Sequence, residues 1–138
     1  MKTIMKTIHT LLITCALGTS YSANAHHSFS AQFDVSKPVT LTGRVTNVQW
    51  TNPHIFIHIE IEDELTGEVV DWELELGGPN SLMRMGWRRD SLKVGDMITV
   101  NGSLARDGSN LANALTILKG DTGQEMFTGS SQPQEEGL

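Results

Sequence analysis

The clearest pattern along the chain lies at residues 54–62. There Ile55, Ile57, Ile59 and Ile61 alternate with His54, Phe56, His58 and Glu60. A period of two places the isoleucines on one face of a strand and the polar set on the other. Residues 63–67 turn the chain, and Val70, Trp72, Leu74 and Leu76 then alternate with Asp71, Glu73 and Glu75. The two segments predict a β-hairpin with one apolar face. Keeping the apolar faces together across that turn opposes His58 with Glu73 and Phe56 with Glu75. Upstream, residues 39–50 alternate with Val39, Leu41 and Val45 on one face. The alternation shifts phase at 46–48, which predicts a bulge, and Gly43 in mid-strand agrees with it. Downstream, Gly77-Gly78-Pro79-Asn80-Ser81 stops the hairpin, and Leu82 and Met85 at helical spacing predict a short helix over 81–86. Turns at 94–96 and 107–110 introduce two more strands, at 97–102 and 112–118.

Five strands with one short helix between the third and fourth predict an all-β fold. Its expected form is a small five-stranded OB-like β-barrel, a partly open Greek key. A short up-and-down barrel or a sandwich has the same strand count and is the rival. The expected core is Val39, Leu41, Val45, Ile55, Ile57, Ile59, Ile61, Val70, Trp72, Leu74, Leu76, Ile98 and Val100.

The first two dozen residues read differently. Lys2 and Lys6 form a positive start, residues 11–17 an apolar stretch, and Ala23-Asn24-Ala25 the small-residue site of a cleavable export signal. A lipoprotein signal built on Cys15 is the poorer reading, because Leu12-Ile13-Thr14 lacks the small residue expected before the cysteine. The organisation is therefore a signal peptide at 1–25, a barrel domain at 26–120 and a flexible polar tail at 121–138. Cleavage after Ala25 leaves His26 as the first residue of a periplasmic protein.

Removing the leader changes the charge. The whole chain has ten Lys+Arg against sixteen Asp+Glu, a formal −6; without Lys2 and Lys6 the count is eight against sixteen, or −8. That balance argues against a nucleic-acid partner, whose binding draws on Lys and Arg. No apolar run beyond the leader reaches the length of a membrane span. Cys15 is the single cysteine and leaves with the leader, so no disulfide framework is expected.

The chain also resembles a family of small exported bacterial proteins, largely uncharacterised and found mostly in proteobacteria. The resemblance is carried by His26-His27-Ser28-Phe29, Phe33-Asp34, Pro38-Val39-Thr40-Leu41-Thr42-Gly43, Trp50-Thr51-Asn52-Pro53-His54, Trp72-Glu73-Leu74-Glu75-Leu76-Gly77, Gly86-Trp87 and Lys93-Val94-Gly95-Asp96. It implies export and a compact β domain, and it brings no reaction with it.

Candidate chemistry concentrates at the new N-terminus. A free α-amine and the Nδ1 of His26 can chelate one ion, an arrangement similar to the histidine brace of periplasmic copper carriers and lytic polysaccharide monooxygenases. Cu(II) favours such nitrogen ligands. The site residues expected are His26, His27 and His54, with copper as the candidate cofactor; His54 follows Pro53 in a rigid turn and is preferred as the completing imidazole. The plain alternative is that His26-His27 is a polar, mobile start. For His58 the expectation is a cross-strand pair with Glu73 on a wet sheet face. Glu60, Glu62 and Glu73, with Ser28 near His27, are the parts available to an enzyme. No nucleophile elbow, phosphate loop or HExxH accompanies them, so no enzyme is expected. Met83, Met85, Met97 and Met126 read as filler. The competing function is a non-catalytic module that docks an envelope protein or exported enzyme through Trp50, Trp87 and the Arg84/Arg88/Arg89 cluster.

Overall fold

The computed structural model describes residues 29–130. A single turn of helix, α1 (Phe29–Gln32), leads directly into the long strand β1 (Phe33–Gln49). The hairpin strands are β2 (Phe56–Glu62) and β3 (Val69–Glu75), followed by helix α2 (Pro79–Arg84). Strands β4 (Met97–Ala105), β5 (Leu111–Lys119) and the three-residue β6 (Glu125–Phe127) complete the chain. β1 pairs antiparallel with β2 and β4, β2 with β3, and β4 with β5. A parallel seam between β3 and β5, with Glu73 opposite Leu111 and Glu75 opposite Asn113, closes the ring. The order β1-β2-β3-β5-β4, with a helix between β3 and β4, is the OB-like barrel that the alternation predicted.

The hairpin register follows from burial. Phe56 faces Glu75, His58 faces Glu73 and Ile59 faces Trp72, as the alternation required. A one-residue slip would turn the isoleucines outward, so a buried face specifies register strongly. The phase shift in β1 is a bulge between Val45 and Asn47. Gly43 is required nearby for a different reason: a Cβ there would lie 2.6 Å from the Glu60 carbonyl oxygen. The bend brings β1 and β2 too close together for any side chain.

The interior is formed by Val45, Ile55, Ile57, Ile59, Leu74, Leu76, Ile98 and Val100, all buried. Leu82 of α2, Trp87, Leu92, Ala112, Ala114 and Ile117 join them. Four expected core residues, Val39, Ile61, Val70 and Trp72, are only half-buried, and Val39, Ile61 and Trp72 pack against this cluster from its edge. Ile61 and Val70 sit at the far end of the hairpin, where β2 and β3 pair only with each other and project past the ring. The helix starts two residues earlier than expected because Pro79 is accommodated in its first turn, where a missing N–H costs nothing.

Both chain ends depart from the sequence expectation. β1 begins at Phe33, six residues before the apolar alternation, because Phe33 and Asp34 pair with Ala105 and Leu104 across an irregular stretch ending at Pro38. Phe29 and Phe33, with ring centroids 5.4 Å apart, form a second cluster with Ala105, and Leu111 packs on it. Arg106 ties this end down: its Nε donates to the Ser30 carbonyl at 2.7 Å, and its guanidinium lies 3.1 Å from the Asp34 carboxylate. At the other end, the segment expected to be a flexible tail from 121 contains β6, which pairs with β5 from Thr116 to Leu118. Thr128 follows it fully buried, its hydroxyl donating to the carbonyls of Ala114 and Leu115. The Gly77 N–H donates to the Thr128 carbonyl at 2.8 Å, so this strap closes the ring beside the hairpin.

Candidate functional site

The polar residues of the hairpin share the outer face of β2 and β3, the face that OB-type barrels commonly use for ligands. Two His–carboxylate pairs lie on it. His58 Nε2 is 3.6 Å from Glu73 Oε2 and 2.8 Å from the Gln49 amide nitrogen. Both side chains are open to solvent, with 29% of His58 and 43% of Glu73 exposed.

The second pair is built differently. His54 Nδ1 lies 3.0 Å from the Leu76 carbonyl oxygen and 3.6 Å from Glu75 Oε1. A carbonyl only accepts, so Nδ1 bears the proton and Nε2 of the neutral ring is left as the free nitrogen. Glu75, expected on the wet face, is buried instead: it stands opposite Asn113 at the parallel seam, and Asn113 is itself covered and bonded by Ser130 of the strap. Burial pushes the Glu75 carboxyl above the usual carboxylate range, and the Glu73 carboxylate adds to the rise, while the His54 imidazole opposes it. Alternation announced the face on which Glu75 lies. It carried no sign of the strap that covers the end of that face.

His54 lies in the loop between β1 and β2, positioned by the Ile55 N–H donating to the Gly77 carbonyl at 3.2 Å and by the return bond from the Leu76 N–H to the Ile55 carbonyl. His26 and His27 lie outside the described residues, three and two positions before Phe29 respectively. The structure therefore separates the two barrel imidazoles into independent pairs. Among the described residues no three His, Cys, Asp or Glu side chains come together as a metal-holding group.

The proposed docking surface is altered as well. Trp87 is buried at 3% exposure, and its indole N–H donates to the Phe127 carbonyl at 2.8 Å, so it belongs to the interior. Trp50 stays half-buried with the Arg89 guanidinium 5.8 Å above its ring. Of the methionines read as filler, Met126 packs against the core, whereas Met83, Met85 and Met97 are exposed.

Fold and outer face together define an OB-like barrel with two imidazole–carboxylate pairs, one between β2 and β3 and one between the β1–β2 loop and β3. The chain matches, over residues 15–114, the model of a family of unknown function, DUF6152, and it belongs to that family. Neither a curated protein nor a solved structure matches it. Among the described residues, no helix is long and apolar enough to cross a membrane.

Proposed function

We propose that this protein is an exported, periplasmic binding protein without catalytic activity, whose mature form holds one Cu(II) ion. The α-amine and Nδ1 of His26 chelate the ion, and His27 and an outer-face imidazole of the barrel, His54 in the reading from sequence, are the remaining candidates. One observation carries this reading. The chain segment entering the barrel is fastened by the Phe29/Phe33/Ala105 cluster, and Leu111, which packs on that cluster, neighbours Glu73 on the outer face. Phe29, three positions after His26 in sequence, is thus fastened at the edge of the imidazole-bearing sheet. His54 supports the reading chemically, because a ligating imidazole commonly donates its second N–H to a carbonyl or carboxylate, as His54 does to Leu76.

The test is calorimetric titration of Cu(II) into the mature chain and into a form with one Met placed before His26, with electron paramagnetic resonance on both. The mature chain is expected to bind one ion with a nitrogen-ligated axial signal, and the extended form to lose it. Equal binding by the two forms overturns the reading. A docking module is the second reading, favoured by the Arg89–Trp50 stack. Among the described residues, Arg84, Arg88 and Arg89 have no carboxylate within ion-pair distance. Aromatic and Arg side chains of this kind are enriched at protein interfaces.

A further inference from the structure

We infer that the surface carrying Trp50, Arg84, Arg88 and Arg89 binds an acidic segment of a partner protein. The inference is independent of the Cu(II) reading; it rests on the docking reading and concerns the chemistry of the partner. Charge is segregated along the chain. Residues 60–71 carry Glu60, Glu62, Asp63, Glu64, Glu68 and Asp71 and no Lys or Arg, whereas residues 84–93 carry Arg84, Arg88, Arg89 and Lys93 against Asp90 alone. The fold puts these segments at opposite ends of the β2–β3 hairpin. The acidic one flanks its turn, while the basic one follows α2 at the other end. There Gly78, just before α2, packs so closely on the β1–β2 loop that a Cβ would lie 2.8 Å from the Pro53 carbonyl oxygen. The strand between the two ends, Phe56–Glu62, is about 20 Å long at six steps of a strand's rise. Salt screens exposed charges beyond about 8–10 Å, so the hairpin acids do not neutralise the arginines.

The three arginines are exposed, and among the described residues none has a carboxylate within ion-pair distance. Asp90, the acid nearest them in sequence, lines a cleft with Ser91 and Lys119. Arg89 lies 5.8 Å above the half-buried Trp50 ring. Stacking holds a guanidinium by its face and leaves its N–H edge for a carboxylate. Arg88 donates one N–H to the Trp87 carbonyl at 2.9 Å, which fixes it beside Arg89 with its other donors unused by that bond. Guanidinium forks match carboxylates two bonds at a time. Three of them are too few to hold a long polyanion on a chain of formal charge −6, because binding to nucleic acid or an anionic bilayer grows with the number of cations engaged. A protein segment needs only a few carboxylates. Its apolar side chains find Met83 and Met85, both exposed and on either side of Arg84 in sequence. An acidic segment is therefore the occupant whose charge complements this surface.

The experiment titrates a synthetic peptide of glutamate, leucine and glycine into the protein and follows the amide and Arg Nε–H signals by NMR. Its glutamine counterpart, an oligothymidylate and phosphatidylglycerol vesicles are titrated in parallel. The glutamate peptide is expected to move the signals of Trp50, Arg84, Arg88 and Arg89 and to bind about tenfold more tightly than the glutamine peptide. Arg88→Gln and Arg89→Gln should each weaken it by about tenfold. Lys37→Gln removes an exposed cation of β1 and should weaken it by less than about twofold. The signals of the unsubstituted protein give the site even where a variant folds poorly. Equal losses in all three variants would assign binding to net charge and overturn the inference. Tighter binding of the oligothymidylate or the vesicles than of the peptide at these signals overturns it as well. Equal binding of the two peptides at this surface overturns the acidic partner and leaves the docking reading standing. A glutamate peptide that leaves these signals unmoved overturns the docking reading with it.

Discussion

The β2–β3 hairpin and the two chain ends are ordered by different means. In the hairpin, an apolar residue at every second position meets a matching strand across a short turn, and local pattern, register and burial coincide. The ends, residues 29–38 and 121–130, have no such pattern, yet Phe33 and Thr128 are as buried as the hairpin's isoleucines. They are held by short ladders to β4 and β5 and by single long-range side-chain contacts: Phe29 and Phe33 on Ala105, Arg106 on Ser30 and Asp34, the Thr128 hydroxyl on Ala114 and Leu115. Alternation thus marks the strands that build the interior, while the pieces that cover the barrel are attached by short ladders and isolated side chains. The candidate site falls where these two kinds of structure meet, on the outer face of the hairpin next to the fastened N-terminal segment.

Substitutions should separate the two kinds of order. The largest effect is expected for Ile57→Ala, a fully buried hairpin residue, at about 4 kcal/mol in urea unfolding. A loss below about 1 kcal/mol would mean that the interior collapses around the cavity and is not close-packed. Ending the chain at Gly120 should cost about 3 kcal/mol, since it removes β6 and strips the Trp87 indole N–H and the Gly77 N–H of their acceptors. An unchanged unfolding midpoint would return the strap to the status of a tail. Phe29→Ala should cost about 2 kcal/mol, less than a phenylalanine of a large core, because the cluster it leaves is small.

A finer test couples the regions. A Cβ on Gly77 would run into the Gly129 carbonyl, so Gly77→Ala should destabilise the full chain and have far less effect in a chain ending at Gly120. A coupling of about 1 kcal/mol in that double-mutant cycle is the expected reading, and strict additivity would show that strap and hairpin do not press on each other. The smallest effect belongs to the hairpin turn. Asp63 Oδ1 accepts from the backbone N–H groups of Thr66 and Leu65 and from the Thr66 hydroxyl, which holds the carboxyl below its ordinary pKa. A depressed folded-state pKa contributes stability above the unfolded pKa of about 3.9 and loses it as pH falls through the folded value. Asp63→Ala should therefore melt below the unsubstituted protein at pH 7, with the gap narrowing in acid. A gap independent of pH would assign the effect to turn conformation alone.

Much of the fold was legible in the residues because the information is local. Period two identified four of the five barrel strands by face, the phase shift at 46–48 located the bulge, and the hairpin turn set His58 opposite Glu73. Phe33 and Thr128 escaped because a buried residue in an unpatterned segment looks like any isolated apolar or polar residue. Trp87 was read as a surface anchor since nothing in sequence reveals the Phe127 carbonyl that takes its N–H. At the candidate site, Pro53 drew attention to His54, but the row of Leu111, Glu73 and His58 is a matter of strand order, and the β3–β5 seam supplies it.

The sequence by itself determined the all-β class, the element order, the bulge and the inward faces, because backbone geometry ties side-chain direction to residue number within each strand. Only the tertiary structure decided which strands meet at the parallel seam, that Glu75 is covered while Glu73 stays open, and that Leu111, Glu73 and His58 stand in one row. Those facts arise from pairings between residues far apart in the chain, which leave no periodic trace in either partner.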